Sequence, residues 1–364
     1  MQSKPGQDKP ARRARSTEPG ELAILSQVRA RVTAKAPGLR LGIGDDCALL
    51  RPRPGEELAV TTDLSIAGRH FRLDWHPPES IGHRVLARGL SDLAAMGARP
   101  IAAFLSLGLP RELITAPTHY PAWPTASARR KSSTRNVSSW IDAFLDGFLA
   151  LAAAHKTPLA GGDLSESPIP VADVVLVGRV PRGRALLRSA ARSGHLLYVT
   201  GALGGAAAAL ARLTQSAEGQ PARPLRIPSN LKALLAPHLY PQPRVNQGLW
   251  LVRNDLASAA IDLSDGLSTD LAHLCRESGV AAEVDATLLP ILPGASLAQA
   301  LHGGEDYELL FTAPPTARLP RKVAGVAIAR IGRIATLRPG QPAVTLLTPQ
   351  GSQPLHPQGW QHFA

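Results

Sequence analysis

Seven aspartates in this chain stand in short stretches of glycine, hydroxyl and apolar residues. Asp45 and Asp46 lie in GIGDDCALL (42–50), Asp63 in TTDLSIAGRHF (61–71) and Asp92 in GLSDLAAMGA (89–98). Asp163 follows two glycines in GGDLSES (161–167), and Asp262 and Asp265 share AIDLSDG (260–266). The chain carries only 28 acidic residues and a net charge of +12, so these carboxylates do not form an ordinary solvated acidic face. A carboxylate packed against apolar chain is costly unless a cation sits beside it. The hard cation that uses one or two carboxylates and leaves room for substrate phosphates is Mg²⁺. The pattern therefore predicts metal-dependent phosphate chemistry.

Each stretch also has a plainer reading. Asp45–Asp46 after Gly-Ile-Gly suits an acidic turn as well as a close approach to phosphate. Thr61, Thr62 and Asp63 offer three hard oxygen ligands at a strand end, or a cap for the next element. Gly162 and Asp163 suit either a ligand or a turn. Asp92 interrupts an apolar helical stripe, where capping does not explain it. One aspartate of DLSDG could cap the following helix, which leaves the other without a role; the helix start also offers amides to phosphate oxygens. Lone residues such as His70 and Arg188 say little by themselves. Taken together, the carboxylates favour a site, because the plain reading has to be invoked at every stretch.

The elements that must position these groups follow from periodicity. A helix is expected over 21–35, a turn between two extended pieces over 38–50, and a strand over 57–63 that delivers Asp63 at its tip. Leu86, Leu90 and Leu93 mark one face of a helix over 80–97, followed by a buried strand at 101–109. Helix 140–155 and strand 171–180 come next, then strand, Gly-rich turn and helix over 194–213. DLSDG feeds a helix with Leu267, Leu271 and Leu274 on one stripe and Gly279 as its stop. LHGGEDYELLFT (301–312) reads as a glycine turn entering a strand. Strands and helices alternate throughout, which gives a mixed α/β class. Residues 112–139 follow no period and are rich in Pro, Ser, Thr and Arg. Residues 1–20 read as a disordered basic tail.

Composition bounds the function. At 364 residues and 44% hydrophobic content the chain can bury a large core, and two domains are expected. Two cysteines, Cys47 and Cys275, give no disulfide framework, and no apolar run of about 18 residues occurs, so a reducing cytoplasm is expected. Most of the excess positive charge falls in residues 1–16 and 111–139, outside the aspartate motifs, and no nucleic-acid motif accompanies it. No specific nucleic-acid partner and no membrane are expected. The chain has no G-x-x-x-x-G-K-[ST] loop, no kinase H-R-D or D-F-G set, no G-x-S-x-G elbow and no zinc spacing. A phosphate-transferring enzyme of this kind binds ATP mainly through metals held by aspartates.

The ordered set GIGDDCALL, TTDLSIAGRHF, LSDLAAMGA, GGD, GRALLRSAARSG, YVTG, AIDLSDGLSTDL and GGEDYELLFT resembles the thiamine-monophosphate kinase family, within the aminoimidazole ribonucleotide synthetase-like superfamily. The resemblance runs from about residue 21 to GWQHF (359–363), apart from 112–139. It implies an N-terminal ATP-binding and dimerisation domain (21–180) and a C-terminal α/β sandwich domain (181–364). The implied reaction takes ATP and thiamine monophosphate to ADP and thiamine diphosphate, with several Mg²⁺ ions and a homodimer. Carried over motif by motif, the implied metal ligands are Asp46, Thr61, Thr62, Asp63, Asp92, Asp163, Asp262 and Asp265. ATP is implied to meet Gly162, Asp163, Arg188 and Ser264. Thiamine monophosphate is implied to meet His70, Glu305 and Trp360, and Asp265 and Arg188 are implied to be catalytic. An aromatic face at Trp360 suits a cationic thiazolium.

Two departures stand out: the 112–139 segment is foreign to that family, and SAARSGH replaces the more usual SGAKPGD after Arg188. Other readings are a different ATP-dependent synthetase of the superfamily, such as a ribonucleotide or selenophosphate synthetase, or a basic protein that binds nucleic acid.

Overall fold

The structure, a computed structural model, describes residues 21–32, 36–115, 139–217 and 231–360. The expected tail (1–20) and residues 116–138 of the aperiodic segment lie outside the described residues.

The first half runs α1 (Glu21–Arg31), β1 (Leu39–Leu41), β2 (Leu49–Leu50), β3 (Glu56–Ile66), α2 (Pro78–Ala95), β4 (Arg99–Leu109), α3 (Arg111–Thr115), α4 (Trp140–Ala154), β5 (Leu159–Glu166) and β6 (Val171–Pro181). The second half runs β7 (Leu196–Thr200), α5 (Gly205–Ala217), α6 (Lys232–Leu239), α7 (Val245–Asn254), β8 (Ala259–Asp262), α8 (Leu267–Ser278), β9 (Val280–Asp285) and α9 (Leu297–His302). It closes with β10 (Leu309–Ala313), β11 (Lys322–Val323), β12 (Val326–Thr336), β13 (Val344–Thr348) and β14 (Gly351–Pro354). The expected helices and strands all appear, mostly within a few residues of their expected ends. The helix expected over 21–35 is shorter, and β3 is longer at both ends.

Strands β3, β6, β4 and β5 form one sheet in that order. β3 and β6 pair antiparallel over their full length, from Glu56 opposite Pro181 to Ile66 opposite Val171. Helices α2 and α4 cover one face. Leu86, Leu90 and Leu93 of α2 are at most 1% exposed, each contributing about 1.5–3 kcal/mol of apolar burial. The two helices cross where a side chain cannot fit. A Cβ at Gly82 would lie 1.9 Å from the Phe144 carbonyl oxygen, and one at Gly147 would lie 1.8 Å from the Glu79 carbonyl oxygen. Ser139 and Asp142 close a capping box at the start of α4.

The second sheet has the order β14-β13-β9-β12-β7-β10-β8, with β11 on β12. α8 packs on it through Leu267, Leu271 and Leu274, and Gly279 in the left-handed region ends the helix. The two sheets meet across α2: Ala260, Leu309 and Phe311 of the second sheet join the hydrophobic core that α2 and α4 build with the first.

Candidate active site

One helix carries most of one wall. Within α2, Arg84, Arg88, Ser91 and Asp92 recur at helical spacing, so a single face holds them together. Residues alternate along β3, and Thr61 and Asp63 lie on the side that meets α2. The Thr61 hydroxyl donates to Asp92 Oδ2. Arg88 donates through Nε (3.2 Å) and Nη2 (3.0 Å) to Asp63 Oδ1. Ser91 Oγ donates to Asp262 Oδ2 at 2.7 Å, which ties α2 to the tip of β8.

The turn after β8 supplies the second wall. Asp270, inside α8, accepts from the backbone N–H groups of Asp265 (3.1 Å) and Gly266 (3.0 Å), and this folds DLSDG back over the helix start. The C-terminal segment docks on that turn. Gly359 N–H donates to Thr269 Oγ1 (3.0 Å), and Trp360 N–H donates to the Asp265 carbonyl (3.2 Å). A Cβ at Gly359 would lie 1.9 Å from the same carbonyl, so only glycine permits this approach.

The third wall is the loop between α9 and β10. Glu305 N–H donates to the Ser264 carbonyl at 2.8 Å. The Glu305 carboxylate accepts from Arg84 Nη2 at 2.6 Å and lies 3.1 Å from His238 Nδ1. His70 Nδ1 accepts from the Ile66 N–H at 3.1 Å, so a neutral His70 ring carries its proton on Nε2.

These walls enclose a cavity of about 630 Å³ lined by Asp63, His70, Arg88, Asp92, Asp262, Ser264, Asp265, Glu305, Tyr307 and Trp360, among others. Its two ends differ in charge character. At one end burial raises the carboxyls of Asp63, Asp92 and Asp262. Repulsion from Asp262 and Asp63 adds to the rise at Asp92, and repulsion from Asp63 adds to it at Asp262. Arg188 opposes the rise at both, so its guanidinium stands within electrostatic reach of the cluster. At the other end, burial alone would raise Glu305, but Arg84 and His238 hold it well below the usual carboxylate range.

Among the described residues, no three His, Cys, Asp or Glu side chains are gathered closely enough to hold a metal ion as they stand. The donor set nevertheless fits Mg²⁺. One buried and two half-buried carboxylates repel one another, a threonine hydroxyl lies among them, and a cavity adjoins them with room for phosphate oxygens.

The structure gathers Thr61, Asp63, Asp92, Asp262, Ser264, Asp265, His70, Glu305 and Trp360 around this cavity, with Arg188 nearby. It does not bring the remaining candidates there. Thr62 lies on the opposite, exposed side of β3. Asp45 and Asp46 are exposed on the turn between β1 and β2, and Gly162 and Asp163 are exposed on the edge strand β5. Gly162 still has a structural demand, since a Cβ there would lie 1.9 Å from the Leu105 carbonyl oxygen. Sequence reasoning passed over Arg84, Arg88 and Tyr307. The spacing of Arg84, Arg88 and Asp92, each four residues apart on an apolar helix, was the available signal.

Two family models match in tandem: AIR synthase related protein, N-terminal domain, over residues 44–180, and AIR synthase related protein, C-terminal domain, over residues 192–335. A thiamine-monophosphate kinase of Salmonella typhimurium is 38% identical over 323 residues, covering 86% of this chain and 87% of the relative. The chain belongs to the thiamine-monophosphate kinase family. Among solved structures, the thiamine-monophosphate kinase of Stenotrophomonas maltophilia K279a aligns with a TM-score of 0.72 at 39% identity, over 90% of this chain and 96% of that one. AaThiL complexed with AMPPCP and TMP aligns with a TM-score of 0.67 at 27% identity, over 96% and 99%. The mixed helix-and-strand architecture with two tandem domain matches is the one the motifs of a thiamine-monophosphate kinase imply.

Proposed function

We propose that the chain transfers the γ-phosphoryl group of ATP directly to a phosphate oxygen of thiamine monophosphate, giving thiamine diphosphate and ADP. The observation that carries this reading is the two-ended cavity. A cluster of half-buried and buried aspartates at one end faces an ionised glutamate and an aromatic ring at the other. A carboxylate and an indole suit a cationic organic ring, and aspartates suit a metal-bound phosphate chain. The acceptor phosphate is already ionised, which explains why the cavity wall needs no Ser–His or Cys–His nucleophile.

Asp63, Asp92, Asp262 and Asp265 would hold Mg²⁺, with Thr61 as a neutral ligand, and the bound ions would neutralise charge on the transferring phosphoryl group. The chain's own residues do the rest. Arg88 orients Asp63, Ser91 orients Asp262, and Asp270 fixes the turn that carries Asp265. Ser264 and Arg188 stand at the ATP side, where Arg188 adds positive charge as the phosphoryl group moves. Glu305, His70 and Trp360 align the acceptor for in-line attack. Asp46, Gly162 and Asp163, exposed outside this cavity, and Thr62, on the opposite face of β3, take no part in this reading.

A homodimer fits the uncovered side of the first sheet, where Leu58, Val60 and Leu64 of β3 are 46%, 61% and 47% exposed on one face. A cytoplasmic setting fits two free cysteines, and no helix among the described residues is long and apolar enough to cross a membrane.

The test is product formation from thiamine monophosphate and ATP with Mg²⁺, beside unphosphorylated thiamine as acceptor and an Asp265→Asn variant as control. The reading expects thiamine diphosphate from the wild type only with the phosphorylated acceptor. Equal use of both acceptors, or full activity of Asp265→Asn, would overturn it.

A further inference from the structure

Arg84 sits 5% exposed beneath the cavity and contacts three separate pieces of the acceptor end. Its Nη2 donates to Glu305 Oε1 at 2.6 Å and to the His70 carbonyl at 3.1 Å, and its Nη1 donates to the His238 carbonyl. One planar guanidinium therefore joins the turn after β3, the end of α6 and the loop before β10.

Behind it, two buried histidines form a line. His238 Nδ1 lies 3.1 Å from Glu305 Oε2, and His238 Nε2 lies 3.0 Å from His76 Nε2. His76 Nδ1 lies 3.1 Å from the Arg72 backbone nitrogen. With its proton on Nδ1, His238 donates to the ionised Glu305, which can only accept; the same Nδ1 also lies 3.2 Å from Arg84 Nη1. In that arrangement His238 Nε2 accepts from His76 Nε2–H, and His76 Nδ1, which lies 3.1 Å from both the nitrogen and the carbonyl oxygen of Arg72, accepts from the N–H. Every member is satisfied with both rings neutral, and burial lowers both rings in agreement. The loop is held in a conformation it would not choose alone: Glu305 and Tyr307 have φ of +66° and +50°. Between them, Asp306 anchors the loop to the start of α5 through the N–H groups of Gly204 (2.6 Å) and Ala206 (3.1 Å).

We propose that Arg84, with His238 and His76 behind it, is a positioning residue that locks Glu305 and the His70 turn into one preformed pocket for the acceptor. This rests on the proposed reading that Glu305 and His70 meet thiamine monophosphate. Preorganisation of this kind acts first on the acceptor end, because Arg84 itself makes no hydrogen bond to the aspartate cluster among the described contacts and reaches the Ser264 turn only through the Glu305 backbone. Lysine cannot replace it, since a single ammonium does not present a planar fork to three fixed acceptors.

The test compares Arg84→Gln, Arg84→Lys, His238→Leu and His238→Asn by separate KM and kcat measurements for thiamine monophosphate and ATP, alongside thermal unfolding. Arg84→Gln and Arg84→Lys should each raise KM for thiamine monophosphate roughly tenfold or more, with KM for ATP within about twofold. His238→Leu should do the same, and His238→Asn, which retains an N–H near Nδ1, should recover most of that loss. If Arg84→Gln does not fold, the His238 pair decides. Wild-type turnover of thiamine monophosphate combined with unchanged acceptor KM in these variants would overturn the positioning role alone. Equal increases in both KM values would also overturn it, as a general structural effect. Absence of wild-type turnover would overturn the parent reading and this inference with it.

Discussion

Asp92→Asn should lower activity and raise the stability of the metal-free protein. The opposition of signs follows from the packing. Asp92 lies on α2 between Thr61 and the carboxylates of Asp63 and Asp262. Burial, then repulsion from Asp262 and Asp63, raises its carboxyl from 3.8 to about 7. At about 1.4 kcal/mol per tenfold change in proton affinity, the ionised group costs about 4 kcal/mol in the folded state near pH 8. Asp262 shares the same field, so about 2 kcal/mol should return when asparagine removes the charge. Asparagine is nearly isosteric and can still accept from Thr61. The assay is thermal or urea unfolding at pH 8 with a chelator, then with Mg²⁺, beside steady-state turnover. The variant should be more stable than wild type in chelator, gain less from Mg²⁺, and lose about 100-fold or more in turnover. A variant less stable than wild type in chelator, or one with wild-type turnover, would refute the reasoning.

Other outcomes follow from the same structure. Trp360→Ala should raise KM for thiamine monophosphate about two- to fivefold, the scale of an exposed cation–π contact worth about 0.5–1 kcal/mol, with KM for ATP unmoved. Gly82→Ala should destabilise by about 3 kcal/mol in urea unfolding, because its Cβ would lie 1.9 Å from the Phe144 carbonyl oxygen at the α2–α4 crossing. Burial lowers His83 from 6.5 to about 4 although its Nε2 contacts the Pro241 carbonyl at 2.7 Å. The unfolded chain therefore takes up that proton first as pH falls. Stability should be fully present above about pH 6.5 and decline by about 3 kcal/mol toward pH 4 on this account, a slope that His83→Gln should flatten. Val60→Lys, on the exposed face of β3, should leave the fold intact and shift the mass seen by light scattering from dimer to monomer.

The fold was legible where a period is strong. The Leu86–Leu90–Leu93 stripe and the DLSDG turn with its Gly279 stop lie where their spacing places them, whereas the strand carrying Asp63 runs on to Ile66, so Asp63 is inside it and not at its tip. The position of Asp92 was legible in the same way, since it is an anomaly only against a helical stripe. Three features were not. Thr61 and Thr62 are adjacent in sequence, yet a strand sends them to opposite faces, and which face meets α2 is a tertiary fact. Arg84 looks like a surface arginine until α6 and the loop before β10 close over it. The anchoring of Trp360 depends on the DLSDG turn being held open to it by Asp270, a contact with no local signature at the C-terminal end.

The central claim is direct transfer between two substrates bound in one cavity. A single-turnover experiment tests it most directly: excess enzyme with Mg²⁺, thiamine monophosphate and ATP labelled in the γ-phosphate, quenched over time and resolved for protein and small molecules. The account predicts label passing from ATP into thiamine diphosphate, with none on the protein at any time. Label that accumulates on the protein, or that leaves only as inorganic phosphate, would contradict it.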